Sequence, residues 1–417
     1  MITIPSSDTL LPHSYRMANG RMLYYFPSDS TDLVKIDLLS ESGSAYQSKP
    51  LVAAATNRLY TVASNNMSAS QIAEFLDYRG IIVDNNNNVT NCTTSFYTLS
   101  RHLADLLPVV DDLVHHPQFP EEDLDVYRQE RRQKIAASQL KSSDMARRLF
   151  YEALFGQQHP LGQYSVPEDA ERLDIDVIRQ HYTLRHCPGD LTLVLAGRVD
   201  DALLADLDAR FGHHAPSIDL SHVSFDATPI LSPTRSDCAI LGATQATLRI
   251  GRVLPIAWNE PDYATLMILV TLLGGYFGSR LMSNLREDKG YTYGIYARTQ
   301  IYRGVIVFYI TADVAAEALR PAEQEIMLEL QRLVDQPVTQ EELDLVRTVL
   351  AGDYLRSVDG IFERSARFVD MFATEVDERL TDNLRQALAS VTPNDLQRLA
   401  SYYLAPRLMT VCRAGAL

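Results

Sequence analysis

The sequence predicts an α+β protein made of two similar halves in tandem, each an antiparallel or mixed sheet covered by helices. Three observations carry this. Glu122-Asp123-Leu124-Asp125-Val126-Tyr127-Arg128 repeats as Glu341-Glu342-Leu343-Asp344-Leu345-Val346-Arg347, and Asp176-Val177-Ile178-Arg179 as Asp395-Leu396-Gln397-Arg398. Both matches are 219 positions apart, and a shared offset marks a duplicated unit. Each second match runs into a β-rich stretch, Leu191 to Gly197 and Leu408 to Cys412. Long helical patterns also interleave with stretches that alternate apolar and polar residues, the pattern of a sheet with one covered face.

In chain order, Thr90 to Leu99 and Tyr302 to Ala312 alternate as strands do, and Asn85-Asn86-Asn87-Asn88 reads as a turn, since Asn tolerates left-handed backbone. Helices with acidic first turns are predicted to start near Pro120, Asp174, Glu260, Thr339 and Pro393. Gly212 to Asp237, with Pro216, Pro229 and Pro233, has no helical period and reads as a linker. The expected division is 1–211, a linker over 212–237, and 238–417.

At 417 residues the chain exceeds what one hydrophobic core organises. The apolar run from Tyr263 to Gly275 is shorter than the roughly 18 residues of a membrane helix, so a buried helix and no membrane span are predicted. Met1 to Asp8 has no basic segment leading into an apolar core, which points to a cytoplasmic protein. Cys92, Cys187, Cys238 and Cys412 are far apart and read as reduced thiols. A net charge of −15 argues against nucleic acid.

Leu272-Leu273-Gly274-Gly275-Tyr276-Phe277-Gly278-Ser279-Arg280-Leu281, continuing to Arg286, Gly290 and Tyr293, closely resembles the C-terminal half of pitrilysin-type zinc peptidases. Glu41 to Gln47, Ser68 to Leu76, His159-Pro160-Leu161-Gly162, Ile178 to Tyr182 and Leu193 to Asp200 are similar to landmarks of that family in the same order, so the resemblance spans essentially the whole chain. It implies a clamshell of two halves. It also implies that Arg286 and Tyr293, seven residues apart, bind substrate across a cleft from a zinc site.

That zinc site is degenerate. The family places His-x-x-Glu-His on a helix, two imidazoles one turn apart holding zinc with the Glu activating water. The corresponding residues are Ala54-Ala55-Thr56-Asn57-Arg58, and the position of the distal Glu ligand, following Glu130-Arg131, is Ala137. Ala offers no lone pair, Asn is no general base, and Arg is a fixed cation without an acceptor. No metal or other cofactor is therefore expected in this chain. The resemblance implies a zinc-free subunit, inactive alone, that lends Arg286 and Tyr293 to a zinc-bearing pitrilysin-type partner for peptide cleavage, as in heterodimeric bacterial members and mitochondrial processing peptidase. The alternative is a catalytically inert structural or peptide-binding scaffold, for which the retained pair has no evident use.

Other candidates read as ordinary structure. Gly274, Gly275 and Gly278 lack the GxxxxGK[ST] of a phosphate loop. Adjacent His115 and His116 point to different helix faces, and His181, His186 and Cys187 have a spacing that aligns poorly for ligation.

Overall fold

The computed structural model describes residue 4 and residues 11–186, 188–215 and 232–417. The expected linker lies largely outside these residues, at 216–231; its last residues already belong to a strand that begins at Arg235. Cys187 also lies outside them.

Along the first part of the chain run β1 (His13–Arg16), β2 (Met22–Pro27), β3 (Leu33–Ser40), α1 (Val52–Leu59), β4 (Ala63–Ser64), α2 (Ala69–Arg79), β5 (Ile82–Asn87), β6 (Cys92–Leu99), α3 (Leu103–His115) and β7 (Pro117–Gln118). Next come α4 (Glu121–Gln139), α5 (Ser142–Phe155), α6 (Pro167–Glu171), α7 (Ile175–Arg185), β8 (Thr192–Gly197) and α8 (Asp201–Phe211). The second part holds β9 (Arg235–Ala239), β10 (Gln245–Leu254), α9 (Pro261–Gly274), β11 (Thr292–Tyr302), β12 (Val305–Ala315) and α10 (Leu319–Asp335). It closes with α11 (Gln340–Ser357), α12 (Ile361–Thr374), α13 (Arg379–Ser390), α14 (Pro393–Leu399) and β13 (Thr410–Gly415).

Two large sheets follow the same plan. The first has the order β1-β2-β8-β3-β6-β5 and the second β11-β12-β10-β13-β9. In each, one late strand returns to pair parallel with an early one, β8 with β2 and β13 with β9, while the other pairs are antiparallel. The duplicated segments of the sequence thus occupy matching places.

Helix starts fall where the caps predict. Asp174 accepts from the Val177 amide, and Thr339 and Thr392 form reciprocal capping boxes with Glu342 and Asp395. α9 is apolar all round and buried over nearly its whole length, as such a helix must be. Among the described residues no helix is long and apolar enough to cross a membrane.

Two local expectations are corrected. Asn85, Asn86 and Asn87 are not a turn: they pair with Thr94, Thr93 and Cys92 as the end of β5, the Asn85 amide bonding Thr61 and Thr94 and the Asn87 oxygen accepting from the Cys92 thiol. The strand expected from Tyr302 is two strands meeting there, because Arg303-Gly304 makes a tight hairpin between Tyr302 and Val305.

The two parts are interlocked by an exchange of helices. α5 belongs to the first part by sequence but packs against β13, β10 and β9 of the second sheet, where Phe150, Leu154 and Phe155 meet Val305, Val307 and Cys412. α12 does the reverse: Ile361, Phe362, Phe368 and Val369 cover Phe26, Leu39, Val194 and Ala196 of the first sheet. Arg303 adds a polar tie, pairing with Glu41 at 2.9 Å and Glu375 at 3.1 Å.

Candidate functional site

The helix expected to carry the metal motif is present. In α1, Ala54 is half-buried and Arg58 exposed, one turn apart on the open face, while Val52, Ala53, Ala55, Thr56, Asn57 and Leu59 are buried. α4 packs beside it and carries Ala137 in its exposed last turn. The side chains do not fit zinc. Asn57, where the general base would stand, is consumed by structure: its amide nitrogen donates to the Asn86 carbonyl at 3.0 Å, and its oxygen accepts from the Thr94 hydroxyl at 3.2 Å. It straps α1 to β5 and β6. Tyr127 of α4 lies nearby; burial pushes its phenol up, opposed by the charges of Arg131 and Arg58. Arg58 and Arg131 thus bring positive charge to this face of α1 and α4. Among the described residues no three His, Cys, Asp or Glu side chains converge as a metal-binding group.

His181 and His186 do come together, their rings 5.9 Å apart. They meet as partners of Ser42: His181 Nε2 donates to its carbonyl at 2.9 Å, and His186 Nε2 lies 3.2 Å from its hydroxyl. Cys92 also donates to that carbonyl. His186 stacks on Tyr182 and touches Tyr60 in a closed interior. Burial holds both imidazoles below their ordinary range, His186 well below it. Unfolding restores a value near 6.5, so the unfolded chain binds these protons more tightly. The stability they contribute is complete above about pH 6.5 and is lost as pH falls toward the depressed folded values. The urea midpoint should therefore drop between pH 7.5 and 5.5, and the drop should be smaller in His186→Gln. His115 and His116 are held by Asp111 and Asp112 of the preceding helical turn.

The second candidate site is built by the segment after α9. A Cβ on Gly274 would sit 2.7 Å from the Ala297 amide, and one on Gly275 2.6 Å from the Thr271 Cα. Gly274 serves the close approach of α9 to β11, and Gly275 a tight contact with Thr271 of α9 itself; neither serves a phosphate. Arg280 is held by both oxygens of Glu342 at 2.7 and 2.8 Å. Met282–Asp288 winds as a π-helix, a winding frequent at functional sites, and fully buried Leu285 anchors it. Gly290, at φ +66°, turns the chain into β11.

This geometry leaves Arg286 and Tyr293 on the surface at the two ends of the turn. Tyr293 is 88% exposed, on the edge strand of its sheet beside an irregularity between Thr292 and Ile295. The Arg286 guanidinium lies 4.7 Å from the ring centre of Phe277, itself 58% exposed. Among the described residues neither the guanidinium nor the phenol makes a hydrogen bond or ion pair. The donors are unused by the fold. Phe277 is the residue that sequence reasoning missed; it lies inside the quoted glycine-rich run, and an exposed aromatic two turns before Arg286 was the available signal.

Residues 172–350 match the family model for the "Peptidase M16 inactive domain". The chain is a homologue of the M16, or pitrilysin-type, peptidases. The matched segment includes Arg280, Arg286 and Tyr293 and excludes α1. An uncharacterized zinc protease of Bacillus subtilis is 23% identical over 85% of this M16 homologue and 86% of its own length; one of Rickettsia felis is 23% identical over 93% of each chain. Among solved structures, an M16 inactive domain from Pseudomonas fluorescens superposes with a TM-score of 0.82 at 20% identity, covering 97% of this chain and 98% of its own. A Helicobacter pylori protease gives 0.85 at 18%, covering 97% and 100%. The α+β fold of the M16 homologue is that of these proteins.

Proposed function

We propose that this chain is the zinc-free subunit of a two-chain M16-type peptidase and presents Arg286 and Tyr293 to a peptide held at the zinc site of its partner. The observation that carries this reading is the pair of donors at the Gly290 turn that no described residue engages, combined with side chains at Ala54, Asn57, Arg58 and Ala137 that are unsuited to ligate zinc. A fold that spends neither guanidinium nor phenol on itself leaves both to bind carbonyl oxygens of an extended peptide. Phe277 supports the guanidinium from below and limits the directions in which it points. The chain's own part is to bind and orient; water activation belongs to the partner.

The purified chain should neither cleave peptides in a chelator-sensitive way nor hold zinc stoichiometrically, which fluorogenic-peptide assay and elemental analysis check together. Co-expression with a zinc-bearing M16 chain, followed by size exclusion, tests the pairing: a mixed dimer supports it. A chain that ignores every such partner sinks the proposal in favour of an inert scaffold.

A further inference from the structure

The wall of α4 that carries Arg131 faces a cavity of about 790 Å³, lined on its other sides by α5, the loop 156–166, the segment 44–51, Val89 and Tyr302. Three arginines line it, Arg131, Arg147 and Arg148, and among the described residues no Asp or Glu does. This is unusual in a chain with 53 acidic and 38 basic side chains. Of the other sequestered arginines, Arg303 pairs with Glu41 and Arg413 with Asp237, while Arg249 is caged by aromatic rings. Here Arg131 and Arg148 form no ion pair among the described residues, and the Nε of each is buried without a hydrogen-bond partner. Arg147 has only a 3.5 Å contact to Asp144 at the rim.

The guanidiniums are held in place. Arg148 lies 3.7 Å from the ring centre of Tyr164, and Arg131 lies 5.7 Å from that of Tyr127. The loop wall is fixed by a backbone approach so close that a Cβ on Gly162 would sit 2.0 Å from the Gly156 carbonyl. Gln157 and Gln163 add amides, and Leu51, Ile135 and Leu161 an apolar floor. Buried guanidinium N–H groups without acceptors are unfavourable, and a ligand carboxylate supplies two acceptors in matching geometry.

We propose that this cavity binds the carboxylate end of a peptide, through Arg131 and Arg148, independently of the Arg286–Tyr293 surface. That the ligand is a peptide rests on the M16-type reading above; that it is a carboxylate rests on the cavity alone. The shared chemistry has two sources, a C-terminal carboxylate and an acidic side chain.

Titration calorimetry on the purified full chain, without any partner, separates them. An N-acetylated tetrapeptide ending in Phe is titrated as the free acid, as the C-terminal amide, and as the amide with Glu at the third position. Binding of the free acid, at least about tenfold weaker for the plain amide, assigns the C-terminus; recovery by the Glu-containing amide assigns the side chain. Arg131→Gln and Arg148→Gln should each weaken the bound form about tenfold or more, and the acid-versus-amide comparison stands on the wild-type chain if a variant misfolds. Equal affinity for all three peptides, or no binding, overturns the proposal. Because no partner is present, that failure leaves the turnover test of Tyr293 untouched.

Discussion

Tyr293→Phe is expected to slow turnover by the reconstituted two-chain peptidase by about 10²-fold or more while leaving folding and assembly intact. The substitution deletes one hydroxyl from a side chain that is 88% exposed and that bonds to none of the described residues, so no described contact is lost. On the proposed reading, what is lost is a donor to a substrate oxygen, and preorganised donors of this kind count most when charge develops on that oxygen. Arg286→Ala should act in the same direction. Arg286→Lys is the subtler variant, since it keeps a charge but gives up the planar fork and much of its stacking on Phe277. The measurement is kcat and kcat/KM on a short peptide with the partner in excess. Near-normal kcat/KM for both Tyr293→Phe and Arg286→Ala would reduce the chain to a scaffold.

The largest effect on stability is expected at the exchanged helix. Phe150 is completely buried between α5 and the second sheet. It is also one of three rings around Arg249, with Tyr151 and Tyr309; the guanidinium is nearly buried, and desolvation lowers its pKa. Phe150→Ala removes the core volume and one wall of that cage together. A loss of about 3–5 kcal/mol follows from the cavity alone. Guanidinium-chloride unfolding should show it as a lower midpoint, whereas Val126→Ala on the exposed face of α4 should change stability by no more than about 0.5 kcal/mol. A Phe150 variant no less stable than Val126→Ala would mean that α5 is not what joins the two sheets.

The elements most legible in the sequence were those specified locally. Thr339, Thr392 and Asp174 announce helices because a cap is a contact between residues three apart, and α9 announces itself because no face of it is polar. The turn between Arg286 and Tyr293 was legible for the same reason, lying within one short segment. Partnership across the chain was not. The apolar stripe of Ala146, Phe150 and Leu154 predicts that α5 is buried but is silent about which sheet buries it, since the period is the same either way. Asn85 to Asn87 read as a turn because Asn favours turns; the Thr and Cys partners on β6 that make them strand residues are a tertiary fact. Nor does Asn57 reveal from its neighbours that its amide is tied to Asn86 and Thr94, and the arginine-lined cavity exists only because the loop 156–166 folds back beside α4.

The reciprocal crossing of α5 and α12 bears on how such a chain could arise. A single half, made alone, would project a helix with a bare apolar face and leave a sheet face uncovered, and the two defects are complementary. Two copies would cure each other by trading helices, which is a domain-swapped homodimer with an isologous interface. Joining the copies end to end keeps that arrangement while freeing each from identity with the other. One copy can then vary residues on a helix such as α1 while the other keeps its own surface side chains, and neither loses the neighbour that holds it folded.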